Sequence, residues 1–416
     1  MTKKNRACLG LLLLLPLWLF ARSHVAPRTA KLHQEAIVVD THIDTPQRLL
    51  DEGFDLAPRD PYGHIDLPRM KEGGLDAAFF SIWVDPRKYE GSSAIQRALE
   101  LISTVYEQVE RHPAQLVLAR SAEDIRRAHR EGKVALLMGL EGGHAINEDL
   151  RVLHTYAELG VRYMTLTHIF NNNWADSSGD TKAWASSSGH QTVHNGLTKF
   201  GRQVVREMNR LGILVDISHV SDKTFFDTLE VTQAPVIASH SSCRALVHIP
   251  RNMSDDMLRA LAKNGGVVQI PFGCFFVEPS FYPWYAPIRE EWDARAKEID
   301  RTYSHDPRQA AIEKYKLAAE YLKQSKRGTL ENILDHIDHA VQVAGIDHVG
   351  LGSDFDGVAC LPEGLEDASF LPRLTQALLD RGYRETDIKK ILGDNTLRVM
   401  EEVEHVAALA SSSALR

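Results

Sequence analysis

The stretch Ile37-Val38-Val39-Asp40-Thr41-His42-Ile43-Asp44 ends an apolar run with a histidine and an aspartate two positions apart. On an extended backbone, positions i and i+2 share a face, so both side chains can reach one ligand. An imidazole and a carboxylate paired where a buried strand meets solvent suit a borderline metal such as zinc better than a hard cation. The competing reading makes Asp44 a helix cap and His42 a histidine satisfied at a strand end.

The rest of the chain repeats the pattern. Later apolar runs are followed by Glu141 in Leu140-Glu141-Gly142-Gly143-His144, His168 in Thr167-His168-Ile169-Phe170-Asn171, and His219 in Asp216-Ile217-Ser218-His219. His240 follows in Ala238-Ser239-His240-Ser241, and Asp354 in Gly352-Ser353-Asp354-Phe355-Asp356-Gly357. Any one of these has a dull explanation, and Asp356 before Gly357 reads as turn chemistry. Six runs ending in ligand-type residues call for a shared site. A catalytic zinc uses about three protein ligands and keeps a position open for water. His42, Asp44, Glu141, His219 and His240 exceed that need, so two zinc ions bridged by Glu141, the one glutamate of the set, are expected. A hydroxide held between two such ions is a nucleophile at neutral pH, and the ions polarise the bond under attack.

The elements that must position these residues alternate. Apolar runs lie at 37–39, 77–84, 134–140, 163–167, 213–217, 235–238, 266–270 and 348–352, with helix-patterned segments such as 94–111, 122–131, 198–211, 254–264 and 329–344 between them. Continuous apolar strands alternating with helices predict a parallel sheet covered on both faces. Eight such units predict an α/β (β/α)8 TIM barrel, in which chemistry sits at the C-terminal strand ends. A long insertion at 273–328 separates the seventh and eighth runs, and its aromatics either lid the barrel mouth or pack the insertion onto the wall. Closing helices are expected at 371–381 and 386–404.

At 416 residues with a net charge of -8, and with no basic run beyond the N-terminus, the chain has no electrostatic footprint for nucleic acid. Lys3, Lys4 and Arg6 followed by an apolar stretch at 8–21 have the form of an export signal. Residues 1–30 are therefore expected to be a signal peptide or an uncleaved membrane tether, 31–405 the barrel domain and 406–416 a disordered Ser-rich tail. Cys8 precedes the apolar run and does not read as a lipid-bearing cysteine, and 407–416 lacks the hydrophobic stretch of a glycolipid-anchor signal. The trio Cys243, Cys274 and Cys360 allows one disulfide and a leftover thiol. An exported location, periplasmic or extracellular, follows as an expectation, with a homodimer left open.

His42-x-Asp44, Glu141-Gly-Gly-His144, His168 with the downstream Trp174 and Asp176, His219, His240, Arg251-Asn252 and the Gly352 to Gly357 segment together resemble the membrane (renal) dipeptidase family of zinc peptidases, a branch of the metal-dependent amidohydrolases. The resemblance runs from about Val38 to Gly393-Asp394-Asn395-Thr396-Leu397-Arg398-Val399. It implies a barrel in which His42, Asp44 and Glu141 hold one zinc and Glu141, His219 and His240 the other. It further implies that His168 contacts a dipeptide near the scissile carbonyl, that Arg251 binds its C-terminal carboxylate, and that Asp354 engages the amino group or handles the proton. Ser353 departs from the family pattern, which has glycine there. Two alternatives remain at this level. A cyclic-amide or phosphotriester hydrolase shares the barrel but bridges its metals with a carbamylated lysine, and no lysine stands at these run ends. An exported metal-binding protein without turnover would be told apart by a dipeptide hydrolysis assay with added zinc.

Overall fold

The expected alternation closes into a barrel. The computed structural model describes residues 25–180 and 191–414. Its strands are β1 (Val39–Ile43), β2 (Ala77–Trp83), β3 (Leu116–Leu118), β4 (Val134–Glu141), β5 (Val161–Thr165), β6 (Leu214–Asp216), β7 (Ile237–Ala238), β8 (Val267–Ile270) and β9 (Val349–Leu351). Eight run in the order β1-β2-β4-β5-β6-β7-β8-β9 with every pairing parallel. The ring nearly shuts between β9 and β1, where the Asp44 N–H donates to the Phe355 carbonyl at 2.8 Å and the Asp354 N–H to the His42 carbonyl at 3.0 Å. That seam lies within the loops carrying two site carboxylates.

Helices cover the outer face, and their starts follow from capping chemistry. Thr198, Ser254 and Thr329, counted as helical from the pattern, are N-caps whose hydroxyls accept the N–H of Gly201, Met257 and Glu331. Inside, Ala77, Phe79, Ala135, Leu137, Tyr163, Leu214, Ile237 and Val267 form one buried cluster with Leu397, Val399 and Met400 of the C-terminal helix. That helix covers the N-terminal strand ends. Asn395 Nδ2 donates to the Ile346 and Val349 carbonyls, and Gln269 Nε2 to Thr396 Oγ1 at 2.8 Å.

Four features depart from the sequence reading. First, β3 extends the sheet beside the first half of β4, leaving the second half to β5; its three residues are too few to register as an apolar run. Second, the helix Pro27–Glu35 begins before the expected boundary at residue 31. It docks through Thr29 Oγ1 to Gln376 Oε1 at 2.5 Å and an ion pair of Arg28 with Glu385. The apolar stretch at 8–21 lies outside the described residues. Third, the closing helix passes through a π-helical turn, Lys390–Asp394, and then runs from Asn395 to Ala414. The expected disordered tail is instead helical as far as Ala414: alanines favour the helix, and the Ser411 and Ser412 hydroxyls are satisfied within it by the Ala407 and Ala408 carbonyls. Fourth, the aromatics of the insertion pack largely on one another: Phe275 lies edge-on to Phe281 and Tyr285, and Trp292 stacks on Tyr321. A Cys274–Cys360 disulfide ties this insertion to the loop after β9, and Cys243 stays buried and free.

Gly139 of β4 shows how closely the interior is filled. A Cβ there would stand 1.9 Å from Cζ of Tyr163. Gly139→Ala should therefore cost about 1–3 kcal/mol by overpacking, read as a lower urea midpoint at unchanged m. An unchanged midpoint would show that the Tyr163 ring is not held in place.

Candidate metal centre

All the expected strand-end residues arrive at one rim. His42 lies in β1 and Asp44 just past it; Glu141 ends β4; His168 and His219 stand three residues beyond β5 and β6, and His240 two beyond β7. Asp354 follows β9 by three residues. The β1–β2 register shifts between Asp40 and Ile43, and such an irregularity re-aims the side chains it carries. His219 and Asp354 both adopt φ 65°, a left-handed conformation uncommon for residues with a Cβ and typical of functional turns.

Glu141 lies at the centre. His42 Nε2 is 3.5 Å from Glu141 Oε2 and 3.5 Å from Asp44 Oδ2. On the other carboxylate oxygen, Glu141 Oε1 is 3.1 Å from His219 Nε2 and 3.5 Å from His240 Nε2, and those two nitrogens are 3.0 Å apart. The ligand atoms of His42, Asp44 and Glu141 lie within 4.8 Å of one another, as do those of Glu141, His219 and His240. A third combination, His42, His240 and Asp354, meets the same limit, so Asp354 stands close enough to be a ligand itself.

The surrounding hydrogen bonds aim these groups. Ser239 Oγ donates to Asp216 Oδ2 at 2.7 Å, which leaves its oxygen to accept from His240 Nδ1 at 2.8 Å and keeps Nε2 bare for a metal. Asp216 is itself held by Thr165 Oγ1 at 2.5 Å and by the Ser218 and Ser239 N–H groups. His42 Nδ1 is 2.8 Å from the Tyr163 hydroxyl, and Ser81 Oγ donates to Glu141 Oε2 at 3.0 Å. Sequence reasoning missed Ser81, Trp83, Tyr163, Asp216, Ser239 and Ser241. For Asp216 and Ser239 a signal existed, because they precede His219 and His240 by three residues and one.

Electrostatics and an orphaned atom both favour cations here. Burial alone would raise the Glu141 pKa, yet His42, His168 and His219 hold it well below the usual carboxylate range. Asp354 is pushed well above that range by burial and by the Asp44 carboxylate. Burial opposes a charge on His42, but Tyr163, Glu141 and Asp44 together raise its pKa well above normal. His42 Nε2 is buried without a hydrogen-bond partner while two carboxylate oxygens flank it. Carboxylate and imidazole donors converging on two points fit a pair of borderline divalent ions.

Other motif residues have other tasks. Asp44 occupies the N-cap position of the helix Thr45–Asp51, but its side chain makes no capping bond, so the helix-cap reading fails. Asp356 accepts from Thr45 Oγ1 at 2.6 Å and the His64 N–H at 2.7 Å and pairs with Arg48, which ties the loops after β1 and β9 together. The Ser353 N–H donates to Asp40 Oδ1 at 2.9 Å, and its hydroxyl accepts from the Phe355 N–H at 3.1 Å. Arg251 is buried; its Nη1 donates to Ser241 Oγ and its Nη2 to the His240 carbonyl, both at 2.7 Å, and Nε is left unpartnered. Desolvation draws its pKa down to about 10 against the pull of Asp354.

The chain has relatives along nearly its whole length. The family model "Membrane dipeptidase (Peptidase family M19)" matches residues 26–414. Dipeptidase tcpJ of Claviceps purpurea (strain 20.1) is 37% identical over 357 residues, covering 84% of this chain and 72% of that protein. The probable dipeptidase PvdM from Pseudomonas aeruginosa superposes with a TM-score of 0.76 at 29% identity, over 92% of this chain and 100% of that one. A metallo peptidase from Rhodobacter sphaeroides, liganded with a phosphinate mimic of the dipeptide L-Ala-D-Ala, gives 0.71 at 27% identity, over 89% of this chain and 100% of that one. Matched along nearly its whole length, and with Glu141 common to two residue triads that could each hold a metal ion, the chain belongs to the membrane dipeptidase family, peptidase family M19, whose members are metal-dependent hydrolases.

Proposed function

We propose that this protein is a binuclear zinc dipeptidase that hydrolyses the peptide bond of free dipeptides. The observation that carries the reading is the position of Glu141 between His42 and Asp44 on one oxygen and His219 and His240 on the other. Three ligands per ion, with one shared, leave each ion an open position. Bound there, the ions would acidify a water molecule and polarise the scissile carbonyl.

The remaining work falls to this chain's own side chains. Arg251 offers a planar, buried guanidinium beside His240, with an Nε–H still to be satisfied, and so suits bidentate capture of the substrate's terminal carboxylate. His168 would contact the scissile carbonyl. Asp354, buried against Asp44, holds a proton readily and would carry it from the attacking water to the departing nitrogen. The phosphinate dipeptide mimic bound by the Rhodobacter relative supports this substrate class. The Cys274–Cys360 disulfide supports an exported, oxidising location, with the N-terminal apolar stretch as signal or tether.

Capture of the carboxylate by Arg251 predicts that free dipeptides are cleaved while C-terminally amidated ones are poor substrates. Parallel hydrolysis assays on the two forms test this, and equal turnover would remove that role. Asp354→Asn should leave two zincs bound and the fold intact while turnover falls about 10² to 10⁴-fold, roughly 2.7 to 5.4 kcal/mol of barrier. Should the variant lose a metal, the His42–His240–Asp354 combination is a true ligand set and the proton role is wrong.

A further inference from the structure

Four histidines turn Nε2 toward Glu141, yet the two triads use only three of them. His219 Nδ1 is buried without a partner, and what separates the fourth, His168, from the other three is that the far side of its ring meets a donor. His42 and His240 place Nδ1 against hydroxyls, those of Tyr163 and Ser239. A hydroxyl can accept, so these rings can carry their proton on Nδ1 and leave the Nε2 lone pair for a metal. His168 Nδ1 instead faces the indole Nε1–H of Trp83 at 3.3 Å. An indole N–H donates and cannot accept, so Nδ1 must present its lone pair and the proton of the neutral ring must sit on Nε2. That is the nitrogen aimed into the centre, 3.5 Å from Glu141 Oε1.

We propose that Trp83 is a positioning residue that dictates the tautomer of His168, withholding it from the metals and making it a hydrogen-bond donor to the substrate. The inference deepens the dipeptidase reading and rests on it for the identity of the acceptor, the scissile carbonyl oxygen. Trp83 is well placed for the task. It is the last residue of β2, in register with Glu141 on β4, so the strand pair that carries the shared carboxylate also carries the indole. The rings of Trp83 and His168 meet edge-on, centroids 5.6 Å apart at 64°, which limits the orientations open to the imidazole. A strand end that offers no ligand thereby acquires a function. A bare Nε2 on His168 would compete for a metal and would present a lone pair to a carbonyl oxygen, which repels it.

The test is the ¹⁵N spectrum of full-length, zinc-loaded protein labelled at histidine, with His168 assigned by the signal lost in His168→Gln. Wild type should show a pyridine-like Nδ1 and a pyrrole-like Nε2 at His168. Trp83→Phe keeps an aromatic edge and removes the N–H. It should shift the proton at least partly to Nδ1 and lower kcat for a free dipeptide by about ten-fold, the worth of one or two ordinary hydrogen bonds, with KM and zinc content unchanged. In the His168→Gln background the same Trp83 change should have no further effect on kcat, because the pair acts as a unit. A wild-type proton on Nδ1 would overturn the proposal even if the variant failed to fold, and so would an unaltered tautomer or kcat in Trp83→Phe. Absence of any dipeptide hydrolysis by wild type would instead overturn the dipeptidase reading and leave the tautomer result standing.

Discussion

A carboxylate withdrawn from water among imidazoles is the constraint on which this structure depends. Glu141 is 3% exposed, and a buried carboxylate is tolerated only where positive charge or hydrogen bonds compensate it. Four Nε2 atoms and the Ser81 hydroxyl lie within 3.5 Å of its two oxygens, and Asp44 adds a second carboxylate beyond His42. Such a cluster is poised for cations. The groups that repel or go unpaired as bare side chains are of the kinds that could hold a metal ion.

The barrel serves that cluster in two ways. Parallel strands deliver the first contacts on rigid backbone, while the turns after them, including the left-handed residues His219 and Asp354, bring side chains inward that a straight strand would send elsewhere. Behind these stands a layer of groups that face the far nitrogens of three of the four rings: Asp216 through Ser239 for His240, Tyr163 for His42 and Trp83 for His168. The centre is thus specified as much by protons as by positions. Asp356 fixes the seam between the loops after β1 and β9, so the carboxylates of Asp44 and Asp354 face each other across a joint that is itself hydrogen-bonded.

The legibility of the chain divides along physical lines. His42, Asp44, Glu141, His219 and His240 were readable because strand-end placement and ligand chemistry are both local, and the eight barrel strands because burial on both faces leaves unbroken apolar runs. β3 was not, since three residues beside an already paired strand carry no periodicity. The helix to Ala414 was hidden by serines that bond back to their own backbone, a choice the composition does not reveal. Trp83 and Tyr163 were hidden for another reason: an aromatic in an apolar strand looks like core, and only the tertiary structure shows that its polar atom meets a histidine. The aromatics of the insertion, for which a lid and a packed wall were equally open, prove to pack chiefly against one another.

The central claim, that one carboxylate serves two ions, is tested most directly by anomalous scattering at the zinc edge from crystals of the zinc-loaded protein. Two peaks of comparable height are expected, about 3.5–4 Å apart, one on each oxygen of Glu141, with His42 and Asp44 on the first and His219 and His240 on the second. A single peak in fully active protein, or a pair in which Asp354 takes the place of Glu141, would contradict it.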